Sequence, residues 1–330
     1  MLKGLYILNK DLFSDIYGEK EREDIEKVVD IYAPVQSSED IRVNLDLLKD
    51  VEVIFSGWGA PMLDKQFLDS APKLKAIFYG AGSVKYFTTE EFWDRKIYLT
   101  SAYAANAVPV AEYTLSQILF CLKAGWKTNY LTRNKIYQRD DKSVLGAYGS
   151  TVGIISLGMI GSKVCELLKN FDINVIAYSY HSDEERAKRL GVTMVSLEEL
   201  FKKSDVVSLH TPWLKQTENM IIGHHFESMK TNASFINTAR GAVVNEKDMI
   251  DVLSKRKDIQ AVLDVTYPEP PDEDSPLFTM PNVALTPHIA GSIGAECNRM
   301  GRYMVDELYR FINGEKLNWE VTKDKADKLA

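Results

Sequence analysis

The chain has 330 residues, of which 45% are hydrophobic and 26% are charged, a composition that excludes collagen-like, low-complexity and largely disordered proteins. Its net charge of −7 argues against a basic nucleic-acid-binding surface. No apolar run reaches the ~20 residues that a membrane span needs. At roughly 150 residues per domain, the length predicts about two domains.

The first hundred residues alternate short apolar runs with polar, helix-like stretches. The apolar runs predict strands at 5–8, 28–32, 51–55, 74–79 and 97–100, with helices at 19–27 and 38–49. The first run is too short for a signal peptide and is expected to be a strand. Alternating strands and helices predict a parallel sheet covered by helices on both faces.

A long apolar segment follows this first sheet. Residues 106–126 are apolar on most sides of a helical projection, which is typical of a buried helix. Such a helix either crosses between domains or packs in a dimer. Residues 127–150 are polar and show no clear period, so an irregular segment is expected there.

From residue 151 the alternation of strands and helices begins again. Strands are predicted at 151–155, 173–178, 206–209, 233–237, 259–263 and 283–286, which make a second open α/β sheet. Residues 294–313 carry an apolar stripe and predict one long helix that ends at Gly314. The lysine- and aspartate-rich tail after Trp319 is expected to be frayed.

The three cysteines, Cys121, Cys165 and Cys297, lie far apart and lack the spacing of metal ligands. Each lies within an apolar helical pattern. We therefore expect free, buried thiols and a reducing cytoplasmic environment.

Residues 152–161 are predicted to form a buried strand, a tight turn and the start of a helix. This is the setting of a dinucleotide fingerprint, whose glycines let a pyrophosphate approach the helix N-terminus. Gly158 and Gly161 occupy two of the three glycine positions, and Ser156 replaces the first. Alone, this partial match also fits ordinary packing of a helix on a strand.

The order of motifs resembles the D-isomer-specific 2-hydroxyacid dehydrogenase family over most of the chain. The resemblance is carried by Val110-Ala111-Glu112, the glycine turn, Ser204–Pro212, Ile236–Gly241, Leu263–Val265 with Pro268–Pro270, and Thr286–Ser292. It implies two α/β domains with doubly wound parallel sheets. A Rossmann-type cofactor domain at 102–293 would be inserted in a discontinuous, flavodoxin-like substrate domain formed by 1–101 and 294–330.

The resemblance assigns catalysis to Arg240, Glu269 and His288, and the chemistry of these side chains agrees. Arginine offers a planar fork that holds a carboxylate and polarises a keto oxygen. Histidine exchanges a proton near neutral pH, and a neighbouring carboxylate favours the imidazolium and fixes its tautomer. Their spacing predicts successive strand–loop units at the ligand-binding edge of one sheet. Taken singly, each also fits a structural role.

The resemblance further implies cofactor contacts from loops at that edge, and substrate-carboxylate contacts from the N–H groups of Ala81 and Gly82. The implied cofactor contacts are Ser156, Gly158, Met159, Ile160, Gly161, Ser179, Thr211, Pro212, Thr217, Thr238, Ala239, Asp264 and Gly291. Asp264 is expected to accept a hydrogen bond from the nicotinamide amide, with a turn cap as the alternative. His210 is expected near the cofactor edge, and His224 and His225 on a surface helix.

The choice between NAD and NADP stays open. Ser179 stands where NAD-specific relatives have an acidic residue, roughly 20 residues after the glycine turn. Serine can bond a ribose hydroxyl and does not repel a 2′-phosphate. His181, Arg186 and Lys188 are candidates for approaching that phosphate.

Together these features predict an oxidoreductase that transfers a hydride between NAD(H) or NADP(H) and a D-2-hydroxy acid or 2-keto acid. We expect a cytoplasmic homodimer with no nucleic-acid or membrane partner. One alternative is a catalytically idle, cofactor-gated binding module of the corepressor type, because fold does not fix function. Another is formate oxidation, which Glu269 disfavours because formate has no hydroxyl proton for an acid–base pair to remove.

Overall fold

The computed structural model describes residues 1–137, 144–180 and 184–328, which form two compact units. The first unit contains Met1–Asn106 and Ser292–Ala330, and the second contains Ala107–Gly291. The domain limits expected from the sequence, after residues 101 and 293, stay predictions.

Each unit is built on one parallel sheet. The first has five strands in the order β2-β1-β3-β4-β5, and the second has seven in the order β12-β11-β10-β9-β6-β7-β8. The strands are β1 (Leu2–Ile7), β2 (Val29–Ile31), β3 (Val53–Ser56), β4 (Ala76–Tyr79), β5 (Tyr98–Ser101), β6 (Thr151–Ile155), β7 (Asn174–Tyr178), β8 (Thr193–Met194), β9 (Val206–Leu209), β10 (Ser234–Asn237), β11 (Gln260–Leu263) and β12 (Val283–Leu285). The five-stranded order is flavodoxin-like, and the reversal at β6 and β9 is that of a Rossmann sheet. The predicted fold class is confirmed.

Most helices lie between successive strands, and the last two follow β12. They are α1 (Phe13–Ile16), α2 (Glu19–Glu26), α3 (Ser38–Val43), α4 (Lys65–Ser70), α5 (Glu90–Trp93), α6 (Tyr103–Leu122), α7 (Gly125–Arg133), α8 (Met159–Leu168), α9 (Glu184–Leu190), α10 (Leu197–Lys203), α11 (Gly223–Glu227), α12 (Glu246–Leu253), α13 (Cys297–Ile312) and α14 (Lys323–Ala326). Within the described part of the chain, none has the length and hydropathy to cross a bilayer. The three cysteines are free and buried, as predicted.

Helix α13 covers one face of the five-stranded sheet. Its buried Met300, Met304 and Leu308 pack in a cluster with side chains of β1, β3 and β4. The predicted apolar stripe is therefore confirmed, although the α-helix begins at Cys297 after a short 3-10 turn. Gly314 follows with a φ of +68°, the left-handed conformation that ends helices.

The prediction of an irregular segment after residue 126 was wrong for residues up to Arg133, which belong to α7. Trp126 packs edge-to-face on Phe120 with 5.2 Å between ring centroids, and its Nε1 donates to Gln117 Oε1. Tertiary contacts of this kind stabilise short helices whose own sequence is a weak helix former.

The expectation of a frayed tail after Trp319 was also wrong for the described residues 320–328. Val321 and Ala326 are buried in the core of the first unit. The tail runs antiparallel beside β5, where Ser101 N donates to Trp319 O (3.1 Å) and Val321 N donates to Leu99 O (2.7 Å).

Candidate active site

The three residues predicted to be catalytic lie on loops of the second unit that follow neighbouring strands. Arg240 follows β10, Glu269 follows β11 and His288 follows β12. β11 pairs in parallel with both β10 and β12. Because the carboxyl ends of parallel strands meet at one edge of a sheet, these loops adjoin at the edge where open α/β sheets bind ligands.

Glu269 and His288 form a hydrogen-bonded pair. Glu269 Oε1 lies 2.6 Å from His288 Nδ1, and both side chains are partly exposed. A carboxylate only accepts hydrogen bonds, so the imidazole proton lies on Nδ1 and Nε2 faces away from the pair. This arrangement orients the ring.

Asp264 holds the loop that carries His288. Its Oδ1 accepts hydrogen bonds from Thr286 Oγ1 (2.6 Å) and Ile289 N (2.8 Å), and its Oδ2 accepts one from Ala290 N (2.9 Å). His288 has a φ of +56°, and its N–H donates to Asp264 O. The buried Asp264 side chain thus caps a turn, and its contact with nicotinamide stays a prediction.

The Arg240 loop is closed by Asn237, the last residue of β10. Asn237 Oδ1 accepts from Ala239 N (3.0 Å), and its Nδ2 donates to Arg240 O (3.1 Å). Arg240 Nη1 donates to Ala239 O at 2.7 Å. Burial lowers the pKa of the Arg240 guanidinium from its ordinary value, while the charge of Glu269 acts in the opposite direction. Arginine nevertheless stays protonated in proteins.

Residues that follow Arg240 also hold the loop that carries Glu269. A Cβ on Gly241 would lie 2.1 Å from the carbonyl carbon and oxygen of Thr266, so only glycine fits without a shift. Further on, Glu246 Oε2 accepts a hydrogen bond from Tyr267 N at 3.0 Å. The sequence patterns did not predict either contact, because both depend on how two distant loops meet.

The glycine turn between β6 and α8 fits a dinucleotide. Ser156 has a φ of +78°. Glycine adopts such a left-handed conformation readily, which explains why the fingerprint usually has glycine at this position. A Cβ on Gly161 would lie 2.1 Å from Ser156 O, whereas one on Gly158 would meet only Ser156 Oγ at 3.9 Å. Among the described residues, no side chain caps the N-terminus of α8, and the first N–H groups of a helix, here those of Met159 and Ile160, have no partner within the helix and suit an anionic group.

The predicted adenosine-side residues lie on loops near this turn. Ser179 directly follows β7, the neighbour of β6. Arg186 Nη1 donates to Leu157 O at 2.7 Å, so this arginine reaches the glycine turn, whereas Lys188 is exposed. His181 lies outside the described residues.

Several residues after β9 and β10 are buried and contact their own loops or α6. Thr217 Oγ1 donates to Pro212 O (2.6 Å) and accepts from Leu214 N (2.8 Å). The hydroxyls of Thr238 and Thr114 lie 3.1 Å apart. Thr211 and Ala239 are also buried, and Gly291 is the last residue of the second unit. Their cofactor contacts stay predictions.

Two other histidines are buried. His210 follows β9 with Nε2 at 2.9 Å from Ser208 Oγ, burial lowers its pKa to about 3, and its place near a cofactor stays a prediction. His224 and His225 lie on α11, where His224 is exposed. His225 faces inwards, with Nδ1 accepting from Ile222 N (3.1 Å) and its ring packed on Phe201.

In the first unit, Ala81 and Gly82 form a loop directly beyond β4. Ser101 Oγ lies 2.8 Å from Ala81 O and 2.6 Å from Gly82 O, which holds the 81–82 and 82–83 peptide groups. Among the described residues, the N–H groups of Ala81 and Gly82 have no hydrogen-bond acceptor. Ala81 is fully buried and Gly82 is partly buried, and their contact with the substrate carboxylate stays a prediction.

Comparison with known proteins identifies the relatives of this chain. Residues 115–290 match the family profile "D-isomer specific 2-hydroxyacid dehydrogenase, NAD binding domain". A glyoxylate reductase from Korarchaeum cryptofilum is 31% identical over 296 residues, which cover 86% of this chain and 87% of that protein. A D-3-phosphoglycerate dehydrogenase from Methanocaldococcus jannaschii is 30% identical over 272 residues, covering 82% of this chain and 52% of that protein. The chain thus spans about half the length of the phosphoglycerate dehydrogenases that it matches.

Among solved structures, an NAD-complexed D-isomer specific 2-hydroxyacid dehydrogenase from Lactobacillus delbrueckii ssp. bulgaricus has the same fold. The TM-score is 0.80 at 22% identity, with 96% of this chain and 99% of that chain covered.

Proposed function

This chain belongs to the D-isomer specific 2-hydroxyacid dehydrogenase family, and on that premise we propose that it interconverts a 2-keto acid and a D-2-hydroxy acid with a nicotinamide cofactor. The observation that carries the proposal is the 2.6 Å contact between Glu269 Oε1 and His288 Nδ1, on loops next to that of Arg240. A proton donor held by a carboxylate, with a cation for the substrate, meets the needs of this reaction.

The proposed roles follow from the chemistry of the three side chains. In ketone reduction, protonated His288 gives the Nε2 proton to the keto oxygen, and Glu269 stabilises the imidazolium before transfer. Arg240 binds the substrate carboxylate and polarises the carbonyl. In the oxidation, neutral His288 takes the hydroxyl proton. When bound, the nicotinamide supplies or accepts the hydride at substrate C2.

Both NAD(H) and NADP(H) fit the proposed cofactor site. The amides at the start of α8, with Ser156, Gly158 and Gly161, would hold the pyrophosphate, and Ser179 would bond the ribose. Thr211, Pro212 and Thr217 would lie by the adenosine, and Thr238, Ala239, Asp264 and Gly291 towards the nicotinamide. Because Ser179 carries no charge, it does not repel a 2′-phosphate.

Substrate binding is proposed to include the backbone of the first unit. The N–H groups of Ala81 and Gly82 lack acceptors among the described residues, and Ser101 Oγ holds the 81–82 peptide group that carries the Gly82 N–H. Backbone amides held in this way bind carboxylate oxygens. The side chain of the accepted 2-keto acid is left to experiment.

A homodimer is proposed from exposed apolar side chains on and after α6. Tyr137 and Tyr148 are 89% and 87% exposed, and Phe120, Tyr130 and Ile136 are also exposed. Such a concentration of apolar surface is typical of an interface, and a second copy of the chain is the partner we propose. Sedimentation at micromolar concentration tests it, and a monomer contradicts it. We also propose a cytoplasmic location, supported by three free, buried thiols.

The decisive experiment is a panel of 2-keto acids assayed with NADH and with NADPH. We expect oxidation of the reduced cofactor with at least one keto acid, and D-2-hydroxy acid as the product. Cofactor binding without turnover on any acid would instead favour a cofactor-gated binding module. Reduction of NAD⁺ by formate would favour the formate alternative.

A further inference from the structure

Glu246 contacts the loop that carries Glu269, and the proposed chemistry gives Glu246 no role. It is the first residue of α12, and its Oε2 lies 3.0 Å from the N–H nitrogen of Tyr267, two residues before Glu269. We propose that Glu246 is a positioning residue, which fixes the start of residues 267–270 and thereby keeps Glu269 against His288. This inference rests on the proposed function, because its effect on rate acts through that pair.

Residues 267–270 make few hydrogen bonds to the rest of the chain, which gives weight to the one from Tyr267 N to Glu246. Thr266 Oγ1 donates to Pro268 O at 2.8 Å, which is a bond within the loop itself. Glu269 contributes its side chain to His288. Among the described residues, the bond from Tyr267 N to Glu246 is the one that ties the backbone of 267–270 to another part of the chain. Without it, this backbone depends on packing alone.

The packing and the hydrogen bond come from the same short segment. Gly241 contacts the backbone of Thr266 and Tyr267, and Glu246 bonds the Tyr267 amide five residues later. That segment begins directly after Arg240. The position of Glu269 is thus set relative to Arg240 through the six consecutive residues 241–246, so a shift at Glu246 changes the geometry of the site.

A carboxylate at the start of a helix also has a simpler role, which is to stabilise the helix dipole. Here α12 already has a cap, since Asn245 Oδ1 accepts from Asp248 N at 3.0 Å. Burial raises the pKa of the Glu246 carboxyl, nearby Asp272 raises it further, and the Tyr267 hydrogen bond lowers it. The surroundings therefore disfavour the charge, and the useful property of Glu246 is its acceptor oxygen.

Two conservative variants separate these roles. Glu246→Gln keeps the length and one acceptor oxygen but removes the charge. Glu246→Asp keeps the charge near the helix N-terminus but withdraws the carboxylate by about one C–C bond, ~1.5 Å. Glu198→Asp, in the first turn of α10, is the matched control, because exposed Glu198 makes no hydrogen bond among the described residues.

Positioning predicts opposite results for the two variants. Glu246→Asp is expected to lower kcat by about 10- to 100-fold, since misplacing a catalytic group by about 1 Å costs on the order of 10²-fold. Its dissociation constant for NADH and its melting temperature should stay near the wild-type values. Glu246→Gln and Glu198→Asp should retain kcat within about threefold. The loss in Glu246→Asp should also be much smaller in a Glu269→Gln background.

A second measurement does not require turnover. The proton shared by His288 Nδ1 and Glu269 is followed by proton NMR, and we expect its downfield signal to disappear in Glu246→Asp and to persist in Glu246→Gln. Normal kcat and an unchanged signal in Glu246→Asp would overturn the positioning role. If Glu246→Gln lost kcat while Glu246→Asp kept the wild-type kcat, the positioning role would be overturned in favour of stabilisation of the helix dipole. An inactive wild type with the expected NMR pattern would refute the proposed function and leave the positioning supported.

Discussion

Alanine at position 241 adds a single methyl group where the Arg240 loop meets the Glu269 loop. Gly241 does not have a left-handed φ, so alanine fits its backbone conformation. Any effect of Gly241→Ala therefore comes from the contact with Thr266 and Tyr267, and the substitution tests whether that contact sets the geometry of the site.

The size of the effect follows from the distances. The added Cβ would lie 2.1 Å from the backbone of Thr266, whereas ordinary contacts begin at 3.4 Å. The two loops must separate by the difference, which is 1.3 Å if neither bends elsewhere. A shift of about 1 Å costs on the order of 10²-fold in rate, and overpacking of this kind typically costs about 1–3 kcal/mol in the free energy of unfolding.

The assay compares kcat for one 2-keto acid, the dissociation constant for NADH and the melting curve. We expect Gly241→Ala to lose about 100-fold in kcat while it stays folded and binds NADH within about threefold of wild type. Gly223→Ala is the matched control, because its Cβ would lie 3.5 Å from Asp248 Cβ and Val252 Cγ2, which is an ordinary contact. That variant should stay within about twofold.

Two outcomes would refute the reasoning. A folded Gly241→Ala enzyme with nearly normal kcat would mean that the loops absorb the methyl group without moving Arg240 or Glu269. An equal loss in Gly223→Ala would mean that the unit responds to any added methyl group, and that the Thr266 contact is not special.

The remaining predictions concern the catalytic residues and the cofactor. Arg240→Ala should raise KM and lower kcat, with a combined cost of about 3–4 kcal/mol or 10²–10³-fold, and near-normal kcat/KM would contradict its role. His288→Ala should lose most turnover yet bind NADH in a fluorescence titration. Glu269→Gln should lower kcat for ketone reduction, because the negative charge next to the His288 imidazole is lost, and an unchanged kcat would contradict the pairing. NADPH should be used within about tenfold of NADH, equivalent to ~1.4 kcal/mol, and a thousandfold preference for NADH would show that Ser179 does not decide the choice.

The strands were predictable because buried parallel strands are continuous apolar runs, as Val206–Leu209 and Thr151–Ile155 illustrate. The helix at Gly125–Arg133 was not, because its stabilising contact, Trp126 on Phe120, joins two helices. Docking of the tail through Val321 escaped prediction for the same reason. Sequence periodicity predicts which face of a helix or strand is buried, but it does not predict isolated contacts between elements.

The candidate site also has a part that could be predicted from the sequence and a part that could not. Arg240, Glu269 and His288 were predicted to be catalytic from the family resemblance and from their side-chain chemistry, and their catalytic roles stay predictions. The contacts that hold them, such as Asp264 on the His288 loop and Glu246 on Tyr267, join residues distant in sequence. An aspartate after a strand or a glutamate at a helix start has many common roles, so only the folded chain distinguishes them.

The docked tail has a consequence for the behaviour of the protein in solution. β5 is the last strand of its sheet, and such a strand presents unpaired backbone groups to other chains. Here Trp319 and Val321 use some of those groups in an antiparallel arrangement. Residues 319–321 thus cover the edge of the sheet against strand addition from another molecule. Detachment of this segment would expose the backbone groups of β5 and create a site for aggregation.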